Sequence, residues 1–417
     1  MMKIVHVTNV IAPDKLGGLE RYVRELSAAL VSEGHEVVVV SKDVKTLSPR
    51  KEVGRDGVVL RRHPSPSKSS ALFAFKYPFV IFGGVRNIIR DEVTRSDLTD
   101  GRTVVHAHFP VPALALVVLR IPFVYTFHAP VYRELIGERQ DSYVLPGFTE
   151  RLAVWGMKFV ERLVLNRASA VLTLSDFIAG EARELGTPAE KIHVIPGGLD
   201  EAVFALRQTR IAAQTANSPS APRLFAARRF VERTGVEHLV EAMSAVHDAI
   251  PGVTLRLAGS GPREAQVRAL VKKLELENVV QLLGRIPDEQ LVLEYAAATL
   301  TVTPTLYLEG FGLSTAESLS VGTPSLVTPV GANPELVAGL VPSLVAAGTD
   351  SRHLAHALIR LLGDSSGLEK LRDRLHAGFA NKWRWSNVVR QIIEVYRLIP
   401  DQRGAKRFLG RTEDLSD

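Results

Sequence analysis

Glu309 and Glu317 stand eight positions apart in "LYLEGFGLSTAESLSVG", separated by a Gly-Phe-Gly turn. The preceding "ATLTVTPT" predicts a strand ending at Pro304, and Leu313 to Ser320 predicts a helix stopped by "VGTP". Glu309 then lies in a loop. Glu317 lies on the helix face it shares with Leu313 and Ala316, the side expected to turn inward. An inward carboxylate needs a partner, because burying an unpaired charge is costly. Gly310 and Gly312 let a backbone approach a ligand closely, and the helix start offers free N–H groups and a positive dipole end to an anion. One carboxylate could orient a diol while the other sits near a reacting centre. From the two residues alone, an exposed loop glutamate and a helical glutamate paired with an arginine fit as well; the turn at a strand end favours the ligand site.

Other candidates are weaker alone. Gly17 and Gly18 precede the first predicted helix, where backbone N–H groups can meet an anion, but a glycine pair is also an ordinary turn. No G-x-G-x-x-G fingerprint follows, which disfavours a dinucleotide cofactor. His128 ends the strand candidate "PFVYTFH", where a structural histidine is the ordinary reading. His106 and His108 in "VVHAHF" alternate on a strand and are expected on opposite faces, unable to chelate one metal together, and no ligand cluster argues for a metal. The chain has no cysteine, so disulfides and thiolate chemistry are excluded.

The elements that must position these residues repeat a simple unit. An apolar run from Ile4 to Val10, a loop, a helical stripe (Leu19, Val23, Leu26, Leu30) stopped by Gly34, and "HEVVVVS" read as strand, loop, helix, strand. "TVVHAH", "PFVYTFH", "AVLTLS" and "KIHVIPGG" continue the alternation. After a polar stretch rich in Ser, Ala and Pro it restarts with "RLFAAR", "VTLRLAG", "VVQLLG", "TLTVTP" and "PSLVTP". The expected organisation is an α/β protein of two doubly wound domains facing a cleft: residues 1–200, a linker at 201–222, a second domain at 223–384, a helix at 385–400 with an apolar stripe from Trp385, and a flexible tail at 401–417. At 417 residues, 46% hydrophobic and 23% charged, the chain is long enough for several cores. Its net charge of +6 is spread along the sequence, so nucleic acid is disfavoured. The N-terminal apolar stretch is too short for a signal-peptide core, and a cytoplasmic protein is expected. "RLAVWGMKFVERLVLNR" reads as a core-packed helix through Leu152, Trp155, Phe159 and Leu163. "FAFKYPFVIFGGVRNIIR", apolar with basic flanks, leaves peripheral membrane contact open.

"EGFGLSTAE" resembles the E-x7-E motif of retaining GT-B glycosyltransferases, particularly glycosyltransferase family 4. "GGLERYVRELSAALVSEGHEV", "PFVYTFH", "LSDF", "KIHVIPGGLD", "AARRFVERTGVEHLVEAM", "LAGSGP" and "GTPSLVTPVGANPEL" agree in order, over roughly residues 2–397. The resemblance implies a GT-B fold, with the acceptor on the N-terminal domain, a nucleotide sugar on the C-terminal domain and the terminal helix crossing back. By the same resemblance Glu309 meets the donor sugar near its reacting end and Glu317 the ribose. The backbone of Gly310, Phe311, Gly312 and Leu313 approaches the sugar and diphosphate, and Arg228 binds the diphosphate. Gly17 and Gly18 face the donor, and His128 lies between sugar and acceptor. A guanidinium suits the leaving group through its paired donors and permanent charge. Asn333 and Glu335 are expected to border the nucleotide, although a turn and helix start explain them too.

The expected activity is retaining transfer of a hexose-type sugar from a UDP-sugar, or next a GDP-sugar, to a hydroxyl of a small-molecule, lipid or glycan acceptor, with no metal or cofactor. Two positions depart from the family pattern. Thr234 stands where a lysine usually supplies a second diphosphate cation, with Arg233 adjacent as a substitute, and Ala129 replaces the usual aspartate after His128. They motivate the alternative of a sugar-nucleotide-binding partner or regulatory subunit that has lost transfer.

Overall fold

Val37 to Val40 are consecutive, β-branched and all buried, a pattern satisfied where both faces of a parallel sheet are covered by helices. The computed structural model describes residues 1–12, 14, 17–44, 50–66, 73–94, 97, 101–133, 147–200, 203–204 and 221–399. The strands are β1 Lys3–Val7, β2 Glu36–Lys42, β3 Lys51–Val53, β4 Val59–His63, β5 Thr103–Ala107, β6 Val124–Phe127, β7 Ala170–Thr173 and β8 Ile192–Val194, then β9 Arg223–Ala227, β10 Thr254–Ala258, β11 Val280–Gly284, β12 Leu300–Thr303 and β13 Ser325–Val327. The helices of the first half are α1 Gly18–Ser32, α2 Phe73–Glu92, α3 Pro110–Val118, α4 Gly147–Arg167 and α5 Asp176–Glu184. Those of the second are α6 Val236–Ala249, α7 Glu264–Lys273, α8 Asp288–Ala297, α9 Leu313–Ser320, α10 Asn333–Val337, α11 Ser351–Gly363, α12 Ser365–His376 and α13 Trp385–Leu398.

The first sheet runs β3-β4-β2-β1-β5-β6-β7-β8, parallel except for the edge strand β3, and the second runs β11-β10-β9-β12-β13, parallel throughout. In each, the strand order reverses beside the first strand, between β1 and β5 and between β9 and β12. A crevice opens at such a reversal beyond the carboxyl ends of the strands. His106 and His108 lie at the first crevice; Arg228 and the Glu309 loop lie at the second. The expected α/β fold with two Rossmann-like domains is thus present.

Helix α13 returns to the N-terminal domain and packs on α1. Its buried stripe, Trp385, Val388, Val389, Ile392 and Val395, matches the sequence periodicity. Tyr396 adds a hydrogen bond between its hydroxyl and His106 Nδ1 at 2.7 Å. The expected linker falls mostly outside the described residues, and the expected tail lies wholly outside them. Among the described residues no helix is long and apolar enough to cross a membrane.

One expectation is overturned in α4. Leu152, Trp155 and Phe159 do not enter the core but are 57%, 66% and 56% exposed. Val164 and Leu165 are buried instead, with Val154, Met157 and Val160 half-buried against the same core. The helix carries apolar residues on two faces, and periodicity cannot rank one above the other.

Candidate functional site

Helix α9 begins where its sequence requires. Gly312 adopts φ +86°, a left-handed conformation that a side chain resists, so the chain turns directly from the Gly-Phe-Gly loop into the helix. Two hydroxyl pairs fasten α9 to β12: Thr301 Oγ1 to Ser318 Oγ at 2.6 Å and Thr303 Oγ1 to Thr315 Oγ1 at 2.8 Å. The loop between them holds Leu308 at φ +58°, an uncommon conformation for a branched residue and one that concentrates at functional sites.

Arg228, one residue beyond β9, meets this loop. Its Nη2 donates to Glu309 Oε2 at 2.9 Å and to Thr305 Oγ1 at 2.8 Å, and its Nη1 donates to Ser314 Oγ at 3.2 Å in the first turn of α9. Burial alone would raise the Glu309 pKa, but Arg228, Arg233 and the Thr305 hydroxyl outweigh it and hold the carboxyl below its ordinary range. Arg233 donates from Nη1 to Leu308 O at 3.1 Å. Two guanidinium groups therefore bracket one ionised carboxylate. Thr234 is buried, and its hydroxyl is committed to Arg229 O and Val231 O, both at 2.7 Å. Arg228 Nε, Arg233 Nε and both polar atoms of the Asn333 amide are buried without a protein partner among the described residues. Asn333 Oδ1 lies 3.1 Å from the point where a Cβ on Gly312 would stand. Orphaned polar groups converging on one loop are what a polar ligand would satisfy.

Glu317 turns inward as its position on the helix required, and it is buried. Its partner comes from the other domain: Arg21 Nη1 of α1 donates to Glu317 Oε1 at 2.7 Å. Arg21 Nε also donates to Glu25 Oε1 at 2.6 Å, and Trp385 Nε1 donates to Glu25 Oε2 at 3.0 Å. Burial pushes the Glu317 pKa up, and Arg21 and the neighbouring Tyr295 offset this only in part. Sequence reading missed Arg21, Glu25 and Ser314. The i,i+4 spacing of Arg21 and Glu25 is a local signal; their meeting with Glu317 is not.

The loop also reaches the N-terminal domain. A Cβ on Gly310 would stand 2.3 Å from His128 O, and Ser175 Oγ donates to Gly310 O at 2.8 Å. Phe311 is buried, its ring against the place where a Cβ on Gly197 would stand, and Leu313 is half-buried. The His128 carbonyl thus lies beside this loop, while its imidazole stands edge-on to Tyr22, centroids 4.9 Å apart, with Nε2 3.4 Å from His108 Nδ1. Burial pushes the His128 pKa down to about 3, so the imidazole is neutral. The start of α1 at Gly17 and Gly18 is exposed, and the Glu20 carboxylate lies over it, 2.3 Å from a Cβ built on Gly17.

The Glu335 carboxylate accepts N–H bonds from Asp176 at 2.9 Å and Phe177 at 2.7 Å, capping α5 of the opposite domain. One expectation needs correction. His106 and His108 do not point to opposite faces. Residues two apart on a strand share a face, and their rings are 4.1 Å apart. His6, in register with His106, joins them, with His6 Nδ1 at 2.8 Å from His108 Nε2. A ring nitrogen of each histidine lies within 4.8 Å of the others, so the geometric ground for excluding joint chelation fails. Burial keeps all three imidazoles neutral, with His6 lowered to about 3.

Two doubly wound domains whose charged residues meet across a crevice form the architecture of the GT-B class. The chain belongs to glycosyltransferase family 4: residues 16–203 match Glycosyltransferase Family 4, and residues 208–378 match Glycosyl transferases group 1. It is 26% identical over 409 residues to glycogen synthase of Mycobacterium tuberculosis, covering 95% of this chain and 94% of that one. It is 27% identical to the MMP alpha-(1->4)-mannosyltransferase of Mycolicibacterium hassiacum, covering 91% and 94%. Among solved structures, sucrose-phosphate synthase from Thermosynechococcus elongatus aligns with a TM-score of 0.75 at 23% identity, over 95% of this chain and 98% of that one. Anabaena HepE in complex with UDP and glucose aligns with a TM-score of 0.70 at 19% identity, over 95% and 100%.

Proposed function

We propose that the chain transfers a hexose-type sugar, with retention of anomeric configuration, from a nucleoside diphosphate sugar to an acceptor hydroxyl. The observation that carries this reading is the Arg228–Glu309 pair, held on the glycine loop that leads into α9 and that meets the N-terminal domain at His128 O. UDP is the favoured nucleotide, supported by the UDP in the HepE structure, with GDP next. Arg228, Arg233 and the N–H groups at the start of α9 would stabilise the leaving diphosphate, so charge neutralisation needs no metal. Arg233 takes the role of the lysine replaced by Thr234. Glu309, held ionised, would orient the sugar near its anomeric carbon. Glu317 would receive the ribose hydroxyls once Arg21 moves aside. In a same-face mechanism the departing phosphate accepts the acceptor proton, and Glu309, tied to Arg228 and Thr305, need not become a covalent nucleophile. Neutral His128 would bond a hydroxyl of sugar or acceptor through the ring nitrogen it does not turn towards His108.

The test is a thermal-shift panel of UDP-, GDP-, ADP- and dTDP-sugars, followed by NMR of the product's anomeric configuration. Stabilisation by one nucleotide class, slow donor hydrolysis without acceptor and an unchanged anomeric configuration are expected. Tight nucleotide binding with no hydrolysis and no transfer across a broad acceptor panel would instead indicate the non-catalytic partner, and inversion would refute the mechanism.

A further inference from the structure

The outward face of α4 carries Leu152, Trp155 and Phe159, and the Trp155 and Phe159 rings stack with centroids 6.1 Å apart. Between them the same face exposes Arg151, Lys158 and Arg162. The one carboxylate in residues 151–167, Glu161, is buried and accepts N–H bonds from Val131 at 2.7 Å and Tyr132 at 3.4 Å. The exposed face of this stretch therefore combines apolar bulk with positive charge alone.

Neighbouring helices extend the face. Helix α2 packs on α3, and α3 packs on α4, along one side of the first sheet. Phe79 on α2 and Val118 on α3 are 67% and 59% exposed, with Lys76 and Arg120 exposed near them. The surface also adjoins the crevice. Glu161 ties α4 to the chain just beyond His128, and Lys158 Nζ lies 5.4 Å from the Tyr132 ring centroid.

We propose that this face docks on an anionic lipid bilayer. A row of Leu, Trp and Phe interleaved with Arg and Lys suits the boundary between phosphate head groups and acyl chains. The apolar side chains enter the boundary, and the basic ones reach back to the phosphates. Charge complementarity selects this occupant over an apolar protein groove, which would leave Arg151 and Arg162 uncompensated and Lys158 with only the Glu181 carboxylate near it. Docking brings the acceptor side of the crevice to the membrane, so it rests on the proposed function only in naming a lipid-borne acceptor as the class served.

The test uses the whole chain with phosphatidylglycerol-containing vesicles and with pure phosphatidylcholine vesicles. Trp155 is the reporter, because the other two of the three tryptophans, Trp383 and Trp385, are 1% and 6% exposed. Co-sedimentation with the anionic vesicles and a blue shift of tryptophan emission that disappears in Trp155→Phe are expected. Trp155→Ser/Phe159→Ser should weaken binding roughly tenfold or more, and Lys158→Glu/Arg162→Glu should weaken it on anionic vesicles. Unchanged melting temperature and unchanged donor-sugar thermal shift separate this result from misfolding or a failed donor site. Absence of vesicle binding, vesicle binding unaltered by both double variants, or a concentration-dependent dimer that Trp155→Ser/Phe159→Ser dissolves would each overturn the proposal, the last in favour of a second copy of the chain.

Discussion

Arg21 Nη1 and Glu317 Oε1 lie 2.7 Å apart although 296 positions separate them, and their contact joins α1 of the first domain to α9 of the second. The carboxylate proposed for the ribose is thus held by an arginine of the opposite domain, itself tied through Glu25 to Trp385. Removing the cation leaves a buried carboxylate uncompensated. Arg21→Ala should destabilise the chain by roughly 2–3 kcal/mol, below the range for a fully buried pair because the arginine retains some exposure. Glu317→Gln in the same background should recover much of that loss. A double-mutant cycle by urea denaturation measures the coupling, and additive effects would mean that the pair holds nothing together.

Arg228→Ala removes the cation beside Glu309, whose carboxyl pKa must then rise, because Arg233 and the Thr305 hydroxyl are left to oppose burial without the strongest favourable partner. If Arg228 stabilises the leaving diphosphate, transfer should fall about 10²–10³-fold, with weaker UDP binding. Arg233→Ala should cost less in transfer but lower UDP affinity. Calorimetric titration with UDP together with donor-hydrolysis rates resolves the two, and normal turnover in Arg228→Ala would remove the arginine from the site.

Gly310→Ala places a methyl group 2.3 Å from His128 O, closer than any real contact. The loop must retreat from the N-terminal domain, so transfer should fall well over tenfold while UDP affinity changes less, because misplacement acts on the reacting geometry. Equal losses in both would locate the defect in the C-terminal domain alone.

The histidine cluster predicts acid sensitivity. His6, His106 and His108 stay neutral when folded, with His6 lowered to about 3, whereas exposed histidines take up protons near pH 6.5. Between those values the unfolded chain binds more protons, so stability falls as pH drops below about 6.5 and is insensitive to these groups above it. Each histidine contributes a loss of up to about 1.4 kcal/mol per pH unit. Chemical denaturation between about pH 7.5 and pH 5 checks the slope, which should shrink in His6→Gln. A flat profile would show that the imidazoles are not buried as described.

Legibility followed the range of the interactions. The Gly-Phe-Gly turn, the helix Leu313–Ser320 and the inward face of Glu317 were readable because each depends on a few neighbouring residues. The stripe on α13 was readable for the same reason. The outward face of α4 was not, since its two apolar stripes differ only in what packs against them. The partners of Glu335, the N–H groups of Asp176 and Phe177 in another domain, were not readable in "GANPEL". His106 and His108 were misassigned by strand parity, which the sequence itself would have corrected; only the fold could add His6 from β1.

By itself the sequence determined the alternation of strands and helices, the two-domain plan and the glycine turn at a strand end, because these arise from side-chain periodicity and backbone sterics within short windows. The tertiary structure decided which charges meet: Arg228 with Glu309, Arg21 with Glu317, and the imidazoles of His6, His106 and His108. It also decided which apolar stripe of α4 faces water. Ion pairing and burial depend on the distance between residues brought together by strand order and domain packing, and no local pattern encodes that distance.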